Sequence, residues 1–148
     1  MVDVSAKEAT RREAVATADI LTTIQTAEMI RTGAARKGDV LGIARIAAIQ
    51  ATKLTQQMIP LCHSIPIESV AVDFEWPDSN RLRCRVRVAT TGKTGVEMEA
   101  MTAASVAALT VYDMVKSVDR ELIIGPVVLQ EKQGGKSGHF KRSETTES

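Results

Sequence analysis

Two runs of alternating residues in the middle of the chain leave little freedom in how it can fold. Val70, Val72, Phe74 and Trp76 alternate with small or acidic residues, and Leu82, Cys84, Val86 and Val88 alternate with Arg81, Arg83, Arg85 and Arg87. An apolar residue at every second position marks a strand with one buried face. Pro77-Asp78-Ser79-Asn80 separates the runs with turn-forming residues, so the segment reads as a β-hairpin. A sheet with one apolar face has to be covered, and the flanking segments supply the cover.

Glu13 to Thr23 is apolar and β-branched enough to form a strand, and Gln25 to Thr32 reads as a short helix stopped by Gly33. Asp39 is an N-cap for a helix to about Met58, with Ile43, Ile46, Ile49, Leu54 and Met58 at helical spacing and Pro60 at its end. Thr102 to Val118 is an alanine-rich helix, and Leu122 to Leu129 a last strand bent at Gly125-Pro126. The order, an extra short helix apart, is βαββαβ. It predicts an α+β fold of the ferredoxin-like split βαβ type, a four-stranded antiparallel sheet with helices on one face. At 148 residues the chain is expected to be one domain over residues 1–140, with a disordered tail at 141–148.

Lys and Arg number 19 against 18 Asp and Glu, so the chain has no general attraction to nucleic acid or to anionic membrane. No apolar run approaches a membrane span and the N-terminus carries no signal peptide, which points to a cytoplasmic setting where Cys62 and Cys84 stay reduced. Aromatic residues make up only 3% of the chain while alanine is abundant, a core composition that favours extra burial through oligomerisation. The arginine run does not make a nucleic-acid surface. Asp73 and Glu75 lie on the same side of the neighbouring strand, and no aromatic residue is interleaved with the charges.

Four polar clusters carry the chemistry. Cys62-His63 follows a helix-ending proline, in a loop that can present side chains to a cleft; Cys84 is in phase with Leu82 and Val86 and belongs to the core. Gly92-Lys93-Thr94 ends like a phosphate-cradling loop, but Arg87 stands where such a loop requires its first glycine. Lys93 and, in Gly134-Gly135-Lys136-Ser137-Gly138, Lys136 are each open to a phosphate role or to a plain turn. Glu97 and Glu99 share a face if the backbone there is extended, and diverge by about 200° if it is helical. Thr102, Ser105, Leu109, Asp113 and Lys116 fall within an arc of about 80° on the last helix. Asp113 and Lys116 then stand as neighbours, either as a solvated ion pair or as a tuned acid/base pair. Two rival readings are a purine nucleoside triphosphate-binding protein without turnover and a small zinc protein using Cys62, His63 and His139.

The strings Met1-Val-Asp-Val-Ser5, Lys37-Gly38-Asp39-Val40, Ile59-Pro60-Leu61-Cys62-His63, Thr94 to Ala100, Tyr112-Asp113-Met114 with Lys116, and Gly134 to Gly138 together resemble one family. It is cyclic pyranopterin monophosphate synthase, the C protein of molybdenum-cofactor biosynthesis, and the resemblance runs in order from residue 1 to about 140. It implies a lyase that converts 3′,8-cyclo-7,8-dihydroguanosine triphosphate to cyclic pyranopterin monophosphate and pyrophosphate. It also implies a hexamer built as a trimer of dimers with sites at subunit interfaces. Carried over residue by residue, it makes Asp113 and Lys116 the principal acid/base pair. Leu61, Cys62 and His63 then contact the substrate, Met98 and Glu99 hold its base-derived ring with Glu97 in support, and Lys37, Lys132 and Lys136 meet phosphates. No cofactor and no protein-bound metal is required, although a divalent cation can accompany the triphosphate. The chain departs from the family pattern at Ser64, where a proline is usual, and at Ala48, where a glycine is usual. It also starts at the Met-Val-Asp-Val-Ser motif, whereas many members carry residues before it, and contacts from such an extension are expected to be absent.

Overall fold

The computed structural model describes residues 1–143. Among them the chain forms a mixed α/β unit of three helices and one antiparallel sheet of five strands. The strands are β1 (Thr10–Leu21), β2 (Ser69–Glu75), β3 (Arg81–Gly92), β4 (Ile123–Gln133) and β5 (Phe140–Lys141), ordered β2-β3-β1-β4-β5. The helices are α1 (Ile24–Arg31), α2 (Val40–Met58) and α3 (Glu97–Val115).

The expected hairpin is β2 and β3, with Val72 opposite Val86 and Phe74 opposite Cys84. Leu82, Cys84, Val86 and Val88 are fully buried, and so are Ala14, Ala16, Ala18 and Ile20 of the adjoining β1. α3 lies across β1, β3 and β4, and α2 packs beside it against β2. Asp39 caps α2 as expected, its side chain accepting from the Gly42 N–H at 2.9 Å.

Three expectations need correction. The sheet has a fifth strand: Phe140 and Lys141 pair with Lys132 and Glu131, which draws Lys141 out of the expected tail. The rest of that tail, residues 144–148, lies outside the described residues. A two-residue strand carries too little pattern to be seen in a sequence. The second correction concerns α3, which begins at Glu97 and not at Thr102, so Glu97 and Glu99 sit on a helical turn. The third concerns which face of α2 is buried. Ala44, Ala48, Ala51, Thr52 and Thr55 are buried, whereas Ile43 and Ile46 remain 46% and 65% exposed. The neighbour decides this. α3 offers α2 a row of buried alanines, Ala100, Ala103, Ala104, Ala107 and Ala108, and two helices with small residues in the seam approach more closely than isoleucines would permit.

The arginine run is neutralised within the sheet, mostly from a strand other than the one expected. Asp73 and Glu75 do stand opposite Arg85 and Arg83. Arg83, however, donates to both carboxylate oxygens of Asp19 on β1, at 2.6 and 2.8 Å, while Glu75 is 3.9 Å away. Arg87 pairs with Glu13, also on β1, at 2.9 Å. Central β1 thus supplies the counter-charges, and Asp19 is buried in doing so.

The alanine seam generates a stability prediction. Ala48→Leu should lower the urea midpoint by an amount equivalent to about 1–3 kcal/mol, because Ala48 is fully buried and the added methyls must push its neighbours apart. An unchanged midpoint would mean that α2 and α3 are not in close contact at this position.

Candidate active site

α2 ends at Met58 and the chain turns at Pro60 into a loop that returns toward the sheet. The Thr90 hydroxyl donates to the Pro66 carbonyl, and the Glu68 N–H to the Ala89 carbonyl, tying the loop to β3. On this loop Leu61, Cys62, His63 and Ile65 form one wall of a cavity of about 380 Å³. The opposite wall is Thr94 and Gly95 with the first turn of α3, Glu97, Met98 and Glu99. A Cβ at Gly95 would displace the Glu97 carboxylate from its present position.

The third side is the N-terminal segment, which contributes Val2, Val4 and Lys7. Two bonds hold it across the opening. The His63 ring donates from Nε2 to the Val2 carbonyl at 2.7 Å, and Lys93 Nζ donates to the Ser5 carbonyl at 2.8 Å. The carbonyl acceptor assigns the proton to Nε2, leaving Nδ1 as the variable position of the imidazole.

A smaller polar cavity of about 180 Å³ adjoins the first through Lys7, Thr94, Gly95 and Glu97. It gathers the cations of Lys7, Arg12, Lys93 and Lys132 around Glu13 and Glu97. Lys132 is ion-paired with Glu97 at 2.9 Å, and Arg12 donates to the Gly92 and Lys93 carbonyls. Gly134 closes the far side at a φ of 98°, with its Cα so close to the Arg11 carbonyl that no side chain fits. Beyond lies a cavity of about 890 Å³ whose lining includes Lys7, Arg12 and Lys136. An apolar-walled chamber therefore opens directly onto a basic cleft, the arrangement an anionic heterocycle needs.

Most of the residues expected at a site from the sequence are brought together here: Leu61, Cys62, His63, Glu97, Met98, Glu99 and Lys132 around the first two cavities, and Lys136 at the third. Asp113, Lys116 and Lys37 are not among them. They cluster near the opposite end of α3, about 24 Å from Glu97 at ~1.5 Å per residue. Asp113 accepts from Lys116 at 2.7 Å and from Lys37 at 2.9 Å, and Lys37 also donates to the Asp113 carbonyl. These hydrogen bonds, that of Lys116 first, hold the Asp113 carboxyl at about 2, and Asp113 in turn raises Lys116 above the ordinary lysine range. All three residues are exposed. Within one chain Lys37 meets Asp113, not the basic cleft.

Lys7 and Arg12 were invisible to pattern reading because they sit in a polar segment without periodicity, and only folding brings them beside Lys93 and Lys132. The zinc arrangement does not assemble either. His139 is bound to Glu131 at 2.7 Å, and among the described residues no three of His, Cys, Asp and Glu stand close enough to hold a metal ion. No helix among them is long and apolar enough to cross a membrane.

The chain is similar to known proteins along nearly its whole length. The family model described as "MoaC family" matches residues 1–135. A cyclic pyranopterin monophosphate synthase of Rhodopirellula baltica is 54% identical, over 96% of this chain and 87% of its own length. Proteins of the same name from Brevibacillus brevis and Pelotomaculum thermopropionicum are 53% and 52% identical, over 97% and 96% of this chain and 90% and 84% of theirs.

The two thiols should behave differently in the folded protein. Burial pushes Cys84 up to about 12, and burial together with the Glu99 charge raises half-buried Cys62 above the ordinary thiol range. A disulfide reagent should therefore label Cys62 alone in native protein, faster as pH rises through the raised value, and reach Cys84 only on unfolding. Equal labelling of both thiols in native protein would contradict this placement.

Proposed function

The chain belongs to the MoaC family, and from that premise we propose that it is a lyase of molybdenum-cofactor biosynthesis. It converts 3′,8-cyclo-7,8-dihydroguanosine triphosphate to cyclic pyranopterin monophosphate and releases pyrophosphate. Beside family membership, the observation that carries the reading is the apolar-walled chamber that opens onto a cleft of ammonium and guanidinium groups. The chamber takes the ring system, with Met98 and Ile65 against its faces and the first turn of α3 along its edge. The cleft takes the triphosphate.

The reaction makes two demands. Rearranging the ring requires protons to be moved on and off nitrogen and carbon, which calls for groups that both donate and accept. Closing the cyclic phosphate requires a ribose-derived hydroxyl to attack the α-phosphate while pyrophosphate departs. Lys7, Arg12, Lys93 and Lys132 offset the charge that builds on the leaving group. The basic cleft is local, so a chain of net charge +1 can hold a polyanion without a general affinity for anions.

Asp113 and Lys116 complete the site from a second copy. Their cluster cannot reach the chamber of its own chain, and exposed Ile43, Ile46 and Leu109 on the outer surface of α2 and α3 supply apolar area for contact between copies. The assembly in this reading is a hexamer, a trimer of dimers, working in the cytoplasm. Each subunit contributes the four-strand core β2-β3-β1-β4 as a ferredoxin-like unit, with β5 added at its edge. Held at about 2, Asp113 acts as a carboxylate at every pH of interest, and Lys116 is the partner that carries the proton. Activity lost between about pH 4 and 6 therefore does not come from Asp113. No resident cofactor takes part, and a divalent cation riding with the triphosphate is compatible with the cleft.

Asp113→Asn should bind the cyclised nucleotide but lose turnover by about 10²–10⁴-fold, measured as pyrophosphate release matched one-to-one by pterin formation. Binding without release in the unaltered protein would leave a nucleotide-binding relative that had lost the chemistry. Subunit sharing has its own test. Co-assembly of Asp113→Asn subunits with His63→Ala subunits should restore part of the turnover that neither variant shows alone, since mixed interfaces contain intact sites. If the mixture stays as inactive as its components, each site is built from a single chain.

A further inference from the structure

We propose that Glu99 enters the reaction as an uncharged carboxylic acid and delivers its proton to a ring nitrogen of the bound heterocycle, while Glu97 serves as an ion-paired carboxylate. This rests on the functional reading above and deepens it by assigning the protonated state to one of the two carboxyls. Both sit in the first turn of α3, but helical geometry turns them about 200° apart, into different surroundings.

Glu97 lines both the chamber and the cleft and is ion-paired with Lys132 at 2.9 Å, which occupies that ammonium. Glu99 is 3% exposed on the chamber wall. The groups around that chamber are Cys62 and His63 from the loop after α2, Lys7 from the N-terminal segment, and Glu97, joined in the assembled site by Asp113 and Lys116 of the second copy. Among the described residues none of the ion pairs or side-chain hydrogen bonds includes Glu99, and its own backbone N–H is the donor that reaches it. Burial therefore raises its carboxyl above the ordinary glutamate range and the Glu97 charge adds to this, its own N–H acting in the opposite sense. Burial raises the neighbouring Cys62 as well, so it stays a thiol and does not take the proton. Two carboxyls in different surroundings, one ion-paired and one buried without a cation, divide acid and charge-holding roles between them.

In the step itself the Glu99 O–H bond breaks and an N–H bond forms on the ring, the nitrogen supplying the electron pair. Glu99 is left as a carboxylate beside Glu97. It recovers a proton from water when the product leaves, which burial and repulsion from Glu97 both favour.

Glu99→Gln tests this, since the amide keeps the volume and can donate a hydrogen bond but cannot transfer a proton. The first measurement is thermal unfolding against pH, which needs no substrate. With a raised native value, folded protein holds a proton that unfolded protein gives up, so the unaltered chain loses stability as pH rises from the ordinary glutamate range through the raised one. The glutamine variant lacks this loss. The difference in Tm, variant minus unaltered protein, should therefore grow in the variant's favour as pH rises from the ordinary glutamate range through the raised one. A pH-independent difference overturns the proposal. The second measurement is turnover: the variant should hold the cyclised nucleotide within a few-fold and release pyrophosphate about 10²–10⁴-fold more slowly. An active unaltered protein with an equally active variant also overturns it. An inactive unaltered protein would instead overturn the functional reading, and the unfolding experiment would still decide the state of Glu99.

Discussion

Everything in this molecule depends on how closely α3 can lie on the sheet and α2 can lie on α3. Alanines make that approach possible. Each buries little apolar area, of the order of one methyl group, but a continuous row of them brings two backbones near enough for the remaining contacts to form. α3 becomes a rigid rod with its first turn in the chamber and its last turn in the Lys37–Asp113–Lys116 cluster. The larger aliphatic residues of α2 are displaced outward by the same seam, which leaves the helical layer with an apolar exterior. A core that is thin inside one chain and apolar outside it is suited to sharing burial between copies.

The charges follow a second logic, in which local pairing neutralises groups that have no chemical task. Arg83 and Asp19, and Arg87 and Glu13, satisfy one another on the sheet face turned away from the helices. The cations left to act are those on loops and strand ends, where backbone contacts steer them: Arg12 against the Gly92 and Lys93 carbonyls, Lys93 against that of Ser5. Lys132 and Glu97 hold each other at the boundary between chamber and cleft, so a ligand spanning both meets an existing ion pair that it can exchange for its own anion.

The fold was legible in the sequence wherever one periodicity acted alone. The hairpin could be read because alternation has a single interpretation, and the start of α2 because Asp39 is followed by an amphipathic run. Legibility failed where two faces were both apolar: isoleucine and alanine alternate around α2, and hydrophobicity alone favours the wrong one. It failed again at Glu97 and Glu99, where no side chain caps the helix and nothing in the string marks a boundary before Thr102. At the site, Cys62, His63 and Glu99 were recognisable from loop position and motif. Lys7 and Arg12 were not, because a lysine in an aperiodic segment looks the same whether it faces water or a ligand.

The sequence by itself determined the hairpin, the helices, the thiol kept in the core and the set of groups available for chemistry, since these depend on near neighbours and on residue type. Only the tertiary structure decided which face of α2 is buried and which carboxyl of the first α3 turn is paired and which is isolated. It alone decided that the chamber and the Asp113 cluster stand at opposite ends of one helix. The physical reason is common to all three. Burial and charge pairing depend on what another segment, distant in the chain, presents at the point of contact, and that partner is chosen only when the helices and the sheet pack together.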